Sequence, residues 1–204
     1  MRPPLPRLHA LTDERIARRA DLTTVARALA AGGGAAVALH ARGRTLTGLQ
    51  QHRLALCFAA CLPARLFVND RLDVALAAGA WGVQLAEGSL APGDARRLNP
   101  AWWIGQSVHD RGAAAAARTA GADYLVVGAV YRTATHPGRT PLGVAAVAEI
   151  AALGLPVIAV GGVTAERVGE LRAAGVHGVA AIRAVWDADD PAAAARRIVE
   201  ELER

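Results

Sequence analysis

The chain has 204 residues and a formal net charge of +5, a length that allows one domain with a full hydrophobic core or two small domains. No run approaches the roughly 18 consecutive apolar residues of a membrane helix, and the proline-rich start lacks a signal core, so we expect a soluble, cytoplasmic protein. All 23 basic residues are arginines and they are scattered, which argues against nucleic acid binding. Cys57 and Cys61 lie in an apolar segment without further metal ligands nearby, so we expect reduced thiols and no metal site.

Short apolar runs alternate with alanine-rich helical patterns along the whole chain. Buried parallel strands are continuous apolar runs of this kind. The predicted strands are 8–12, 35–41, 65–69, 81–85, 102–108, 123–128, 156–160 and 177–182. Helical patterns follow them at 23–32, 47–62, 73–80, 92–98, 111–122, 143–153, 164–175 and 190–202.

Eight strand–helix units within 204 residues predict an α/β protein with a single (β/α)8 barrel, or TIM barrel, spanning residues 1–204. An open, doubly wound sheet also alternates strands and helices, and it is the alternative. No linker or low-complexity tract divides the chain. In both folds the ligand lies at the carboxyl ends of the strands, so we expect the functional residues to follow the strands.

Polar side chains or bare glycines follow nearly every predicted strand. Each one alone is more simply explained as a helix cap or a solvated loop residue. Together they predict a shared pocket at one rim. In chain order they are His40, Arg42, Arg44, Asn69, Asp70, Gln84, Glu87, Ser107, His109, Asp110, Thr133, Thr135, His136, Arg139, Gly161, Gly162, Thr164 and Arg183, with Ile182 ending the last strand beside Arg183.

The Gly161-Gly162 turn precedes a predicted helix and is the best candidate anion site. Amides at a helix start bind anions, and barrels often bind phosphate after strands 7 and 8. Arg183 either adds a charge-assisted contact or is a surface arginine. Tight-turn geometry alone would also explain the two glycines.

Two arginines and two histidines are further candidates. Arg42 and Arg44 alternate with His40, which places all three on one side of an extended segment, either towards the pocket or outwards. Among the histidines, His109 is the best candidate for acid–base chemistry, because it follows the end of a strand and imidazole is the side chain suited to proton transfer at neutral pH. The carboxylate in the Asn69-Asp70 pair would on its own be a poor Mg²⁺ site.

The motifs LHALTD, HARGR, FVNDRLDVAL, GVQLAEGS, IGQSVHD, ADYLVVGAVYRTATH and IAVGGVTAERV resemble those of the thiamine phosphate synthase superfamily over nearly the whole chain. Synthases of this superfamily join a pyrimidine diphosphate to a thiazole phosphate with Mg²⁺. Their pattern has Gln-x-Arg-x-Lys where this chain has His40-x-Arg42-x-Arg44. Their second metal carboxylate falls on Ser89, which brings no negative charge, and their lysine falls on His136.

The sister branch, the thiazole tautomerases, has His-x-Arg-x-Arg, a Gly-Ser in place of the acidic motif, and Ser-Val-His after strand 5, as this chain does. The resemblance therefore implies an isomerase that aromatises the carboxythiazole phosphate of thiamine biosynthesis by metal-independent proton transfer, without a cofactor. It implies that His109 is catalytic. The implied substrate-binding residues are His40, Arg42, Arg44, Asn69, Gln84, Ser107, Thr133, Thr135 and His136. The implied phosphate-binding residues are Gly143, Gly161, Gly162, Ile182 and Arg183.

Two alternatives stay open at this point. One is a Mg²⁺-dependent thiamine phosphate synthase, and the other is a non-catalytic barrel that binds thiazole phosphate or regulates a partner. The expected partner is a small thiazole phosphate carboxylate, not nucleic acid or a membrane. Self-association, or association with another thiamine-pathway enzyme, is left open.

Overall fold

Eight parallel strands pair in chain order, and β1 also pairs with β8, so the sheet is a closed barrel. The computed structural model describes residues 2–133, 138 and 140–204. The prediction of a (β/α)8 barrel is confirmed, because an open doubly wound sheet would leave its outer strands unpaired. The strands are β1 Leu8–Leu11, β2 Val37–Ala41, β3 Arg65–Asn69, β4 Gly82–Leu85, β5 Trp103–Val108, β6 Tyr124–Gly128, β7 Val157–Val160 and β8 Gly178–Ala181.

The helices surround the barrel and connect successive strands. They are α1 Glu14–Ala17, α2 Leu22–Gly33, α3 Gly48–Ala59, α4 Leu72–Ala77, α5 Pro92–Leu98, α6 Arg111–Thr119, α7 Gly143–Ala151, α8 Val168–Ala173, α9 Arg183–Trp186 and α10 Pro191–Glu203. The short helices α1 and α9 were not predicted, since four residues are too few to show a helical period. No helix in the described part of the chain is both long and apolar enough to cross a membrane.

Alternate residues of each strand point into the barrel, and aromatic rings fill its amino-terminal half. Phe67 and Tyr124 are fully buried there and meet edge to face, with ring centroids 6.2 Å apart. Glycines on the neighbouring strands make room for them: a Cβ on Gly82 would lie 2.3 Å from Phe67, and one on Gly105 would lie 2.2 Å from Tyr124. The rings form a floor, one inward-facing position before Asn69 and Val126 on the same strands.

Candidate functional site

A cavity of about 800 Å³ opens at the carboxyl ends of the strands, within the usual volume range of small-molecule sites. Loops from around the barrel contribute to it, as expected for this fold. The predicted residues that line it are Arg42, Arg44, Asn69, Gln84, Ser107, His109, Thr133, Gly161, Gly162, Ile182 and Arg183.

Arg42 and Arg44 supply positive charge at the wall that follows β2. The Arg42 guanidinium donates from Nη1 to the carbonyl oxygen of Thr12, 3.0 Å away, and the Arg42 amide donates to Thr12 Oγ1 at 2.9 Å. Partial burial lowers the pKa of Arg42, and the neighbouring charge of Arg44 lowers it further. An arginine titrates so far above neutrality that Arg42 stays cationic. It is therefore a fixed cation at the cavity wall.

The turn after β7 lies across the barrel mouth from β3. Gly161 and Gly162 have φ of +99° and +67°, a region that L side chains rarely adopt. A Cβ on Gly161 would lie 2.7 Å from Ala129 Cα, and one on Gly162 would lie 2.6 Å from the Arg132 carbonyl oxygen. The turn is followed by a 3₁₀ segment, Ala165–Arg167, before α8 begins. Its backbone is thus held tightly against the loop after β6, and exposed Arg183 faces the same cavity.

Three neighbouring strands contribute a polar wall above the aromatic floor. Asn69 of β3 and Gln84 of β4 are paired in the sheet register. Gln84 donates from Nε2 to Ser107 Oγ at 3.0 Å and to the carbonyl oxygen of Leu85 at 3.1 Å. Because a carbonyl oxygen only accepts, these contacts fix the orientation of the Gln84 amide.

His109 lies at the cavity edge with its ring partly buried. Its Nδ1 contacts the carbonyl oxygen of Gly128, so Nδ1 carries a proton and donates. Its Nε2 lies 3.6 Å from Glu87 Oε2. The structure therefore brings the predicted imidazole, the polar wall and the double glycine to one end of the barrel.

Asp70 and Glu87, two carboxylates that follow predicted strands but were not among the predicted site residues, also line the cavity. Asp70 has φ of 60° and accepts a hydrogen bond at Oδ1 from the Ala86 amide, at 2.8 Å. That contact ties the loop after β3 to the loop after β4, where Glu87 lies. Ser89, the position suggested by the motif, is exposed and is not among the lining residues. The sequence placed Glu87 after strand 4, at the rim, but gave it no role, because the motif comparison put the second carboxylate at position 89.

Two predicted site residues are not among those that line the cavity. His40 is fully buried inside the barrel, where its ring stacks on Phe67 with centroids 5.2 Å apart. His40 points into the barrel from β2, whereas Arg42 lies past the end of that strand. The alternation of His40 with Arg42 and Arg44 therefore did not bring the histidine to the cavity wall with the arginines. Gly143 begins α7, and its amide is already bonded to the Val130 carbonyl oxygen at 3.1 Å, so it is not free to bind a phosphate. Thr135 and His136 lie outside the described residues.

The fold and the cavity define a (β/α)8-barrel protein with fixed cations and carboxylates at the carboxyl ends of its strands. A family model for thiamine monophosphate synthase matches residues 8–185. The chain belongs to the thiamine monophosphate synthase family, as the sequence motifs predicted.

Relatives of nearly equal length support this assignment. The chain is 41% identical over 201 residues to a thiamine-phosphate synthase of Methanoculleus marisnigri, covering 96% of this chain and 94% of that protein. It is 43% identical over 206 residues to a thiamine-phosphate synthase of Salinispora tropica, covering 97% and 98%. Among solved structures, thiamine phosphate pyrophosphorylase from Pyrococcus furiosus superimposes with a TM-score of 0.83 at 28% identity, covering 97% of this chain and 95% of that one.

These relatives overturn the prediction of an isomerase. Thiazole tautomerase was favoured on short motifs, but the proteins that match over nearly the whole chain are named as synthases. One motif residue on which that prediction rested, His40, does not line the cavity. The expected carboxythiazole substrate and the proton-transfer role of His109 depended on the isomerase reading, and they lose their basis with it.

Proposed function

We propose that the protein is a thiamine phosphate synthase, a transferase that joins a pyrimidine diphosphate to a thiazole phosphate. The thiazole ring nitrogen forms a bond to the pyrimidine methylene carbon as the bond from that carbon to the diphosphate oxygen breaks. Thiamine phosphate and diphosphate are the products. The observation that carries this proposal is the 41% and 43% identity, over nearly full length, to proteins named thiamine-phosphate synthase.

The charge distribution of the cavity supports two anionic substrates. Arg42 and Arg44 follow β2, while Arg183 and the Gly161-Gly162 turn lie at the ends of β8 and β7. Guanidinium groups and turn amides are suitable donors to phosphate oxygens. We assign the diphosphate to the β2 side and the thiazole phosphate to the β7–β8 side. The two reacting rings then lie between them, above the polar wall.

The donor set also fits Mg²⁺. This ion is held by one or two carboxylates together with substrate phosphates, and Asp70 and Glu87 both line the cavity. When bound, Mg²⁺ neutralises charge on the departing diphosphate. The hydrogen bond from the Ala86 amide to Asp70 Oδ1 holds one carboxylate in place and leaves its second oxygen for the ion.

The reaction as written moves no proton at carbon, so His109 is not needed as an acid or a base. Its ring, held through Nδ1 by the Gly128 carbonyl oxygen, shapes the wall between the polar groups of β4 and β5 and the loop after β6. We infer a positioning role for His109. Its Nε2 lies 3.6 Å from Glu87 Oε2, so the fixed ring limits where the Glu87 carboxylate can lie at the cavity edge.

The test is to incubate the purified protein with the pyrimidine diphosphate, the thiazole phosphate and Mg²⁺. Thiamine phosphate, measured by oxidation to its fluorescent derivative, and diphosphate should appear in equal amounts. Each substrate alone is the matched control and should yield neither product. A folded protein that binds both substrates yet forms no thiamine phosphate would overturn the proposal.

A further inference from the structure

The carbonyl oxygens of the double-glycine turn are both held by groups outside the turn. The Gly161 carbonyl oxygen accepts a hydrogen bond from the Tyr131 amide at 3.0 Å. The Gly162 carbonyl oxygen accepts one from Nη1 of Arg167, which is partly buried. The first donor belongs to the backbone, so only the second contact depends on a side chain.

These two contacts set the direction of two backbone amides. In a trans peptide unit the N–H points opposite to the carbonyl oxygen. The Gly161 carbonyl therefore orients the Gly162 amide, and the Gly162 carbonyl orients the Val163 amide. Neither amide has an acceptor in the part of the chain that the structure describes, and both residues line the cavity. Successive unbonded amides of this kind bind anions.

The Arg167 guanidinium is itself held in place. Its Cζ lies 4.4 Å from the centroid of the Tyr131 ring, a stacked arrangement that suits a planar cation. The Tyr131 hydroxyl donates to Glu170 Oε1. Burial raises the pKa of Tyr131, and this hydrogen bond raises it further, so the hydroxyl keeps its proton and remains a donor. The guanidinium is therefore organised before a ligand arrives.

The charge of Arg167 also acts on the peptide unit that it holds. The two nearest acidic residues along the chain have other partners, because Glu166 pairs with Arg197 and Glu170 accepts from Tyr131. A cation on a carbonyl oxygen polarises the peptide unit and strengthens its N–H as a donor. Arg167 therefore affects both the direction and the donor strength of the Val163 amide.

We propose that Arg167 is a positioning residue for the thiazole phosphate. It holds the Gly162 carbonyl oxygen, and through that contact it directs the Val163 amide towards the phosphate and polarises it. Without the guanidinium the Gly162–Val163 peptide unit can rotate, because glycine permits many backbone conformations. This inference rests on the proposed function, which assigns the thiazole phosphate to this turn.

The binding test compares the thiazole phosphate with the thiazole alcohol that lacks the phosphate. Arg167→Met keeps an unbranched side chain to cover the Tyr131 ring but removes the donor. We expect it to bind the thiazole phosphate about 10-fold more weakly, as for the loss of a hydrogen bond to a charged group, and to bind the alcohol as wild type does. Arg172→Met, on the exposed face of α8, is the matched control and should change neither affinity. An Arg167→Met protein that weakens both ligands equally, or neither, would overturn the proposal.

Amide NMR provides a second readout that does not depend on the stability of the variant. In the wild-type protein the Val163 amide proton should move downfield when thiazole phosphate is added, because it donates to a charged oxygen. The alcohol should leave it in place. At saturating thiazole phosphate the shift should be smaller in Arg167→Met than in wild type. A Val163 amide that does not respond to bound thiazole phosphate in the wild-type protein would also overturn the proposal.

Neither measurement uses turnover, so the two proposals can fail separately. Wild-type affinity for thiazole phosphate in Arg167→Met, with thiamine phosphate still formed by the wild-type protein, would remove this inference alone. The expected binding results in a protein that forms no thiamine phosphate would remove the proposed function alone.

Discussion

Asp70 Oδ1 accepts a hydrogen bond from the Ala86 amide at 2.8 Å and so joins the loops that follow β3 and β4. Asp70→Asn keeps an acceptor oxygen, and asparagine tolerates the left-handed backbone at this position. We expect the variant to fold but to bind Mn²⁺ more weakly in the presence of diphosphate, because one carboxylate charge is lost. Asp73→Asn, on the exposed face of α4, is the control. Unchanged Mn²⁺ binding, followed by electron paramagnetic resonance, would remove Asp70 from the metal site.

Arg42 should carry much of the affinity for diphosphate. Its guanidinium is held by the Thr12 carbonyl oxygen, so it is organised before the ligand arrives, and charge-assisted hydrogen bonds are the stronger ones. We expect Arg42→Gln to weaken inhibition by diphosphate about 10-fold or more. Arg97→Gln, whose side chain is 79% exposed on α5, should leave the inhibition constant unchanged. Equal constants for wild type and Arg42→Gln would contradict the assignment.

The double-glycine turn should not tolerate a side chain. In Gly162→Ala the new Cβ would meet the Arg132 carbonyl oxygen at 2.6 Å, at a φ of +67°. We expect a lower midpoint of urea unfolding and weaker binding of thiazole phosphate, because the turn must move away from Arg132. Gly93→Ala, inside α5 with its nearest contact at 3.6 Å, should raise the free energy of unfolding by about 0.5–1 kcal/mol. A Gly162→Ala protein as stable as wild type would show that the turn can relax.

Replacement of His109 distinguishes a wall residue from an acid–base catalyst. His109→Gln retains a group that can donate to the Gly128 carbonyl oxygen. Because the joining reaction transfers no proton at carbon, we expect kcat to fall by much less than the roughly 10²–10⁴-fold typical of a lost acid–base catalyst. The pH dependence of kcat should keep its shape. A larger loss, together with disappearance of one limb of the pH profile, would restore a proton-transfer role.

The buried histidine pair should make the protein less stable in mild acid. The folded-state pKa of His40 is lowered to about 4 and that of His9 is also lowered, whereas the unfolded rings take up protons near pH 6.5. Stability is therefore fully present well above pH 6.5 and falls as the pH drops through 6.5 towards 4; for His40 the loss between pH 7 and pH 5 is about 2 kcal/mol, and His9 adds a loss of the same sign.

Urea unfolding of the variant His40→Gln at those two pH values tests this sign and size. The variant should lose about 2 kcal/mol less than wild type over the interval. His52→Gln, in α3 outside the barrel, is the control for loss of a histidine as such. An identical loss in wild type and His40→Gln would mean that the ring does not remain neutral in the folded protein.

The barrel was predictable because its strands carry their signal locally. The segment 65–69 was predicted and found without change as β3, since a continuous apolar run reports burial on both faces. The lining of the cavity by Arg42, His109 and Gly161 followed from one rule about strand ends. The positions of His40 and Gly143 were not predictable in this way. The spacing of His40 and Arg42 does not show that β2 ends between them, and the sequence does not show that the Gly143 amide is already bonded to Val130.

The reaction was the part that short motifs misjudged. Single replacements such as Ser89 favoured the isomerase, but Glu87 brings a carboxylate to the same loop. A neighbouring residue can supply the charge that a motif position lacks. Comparing the motif one residue at a time therefore suggested that the metal-binding carboxylate was lost. Similarity over the whole chain averages over such exchanges, and that is why the relatives gave the better assignment.

The buried rings of Phe67 and Tyr124 fill the interior below the cavity, so substrates are expected to enter from the carboxyl ends of the strands. A substrate bound deeper in the cavity has to bind before one nearer the mouth, and it leaves after it. If one substrate ring binds against the polar wall and the other nearer the mouth, we expect the two substrates to bind in a compulsory order, with the inner one first. The binding order of the substrates is then set by the packed aromatic end of the barrel, which does not contact the reacting atoms.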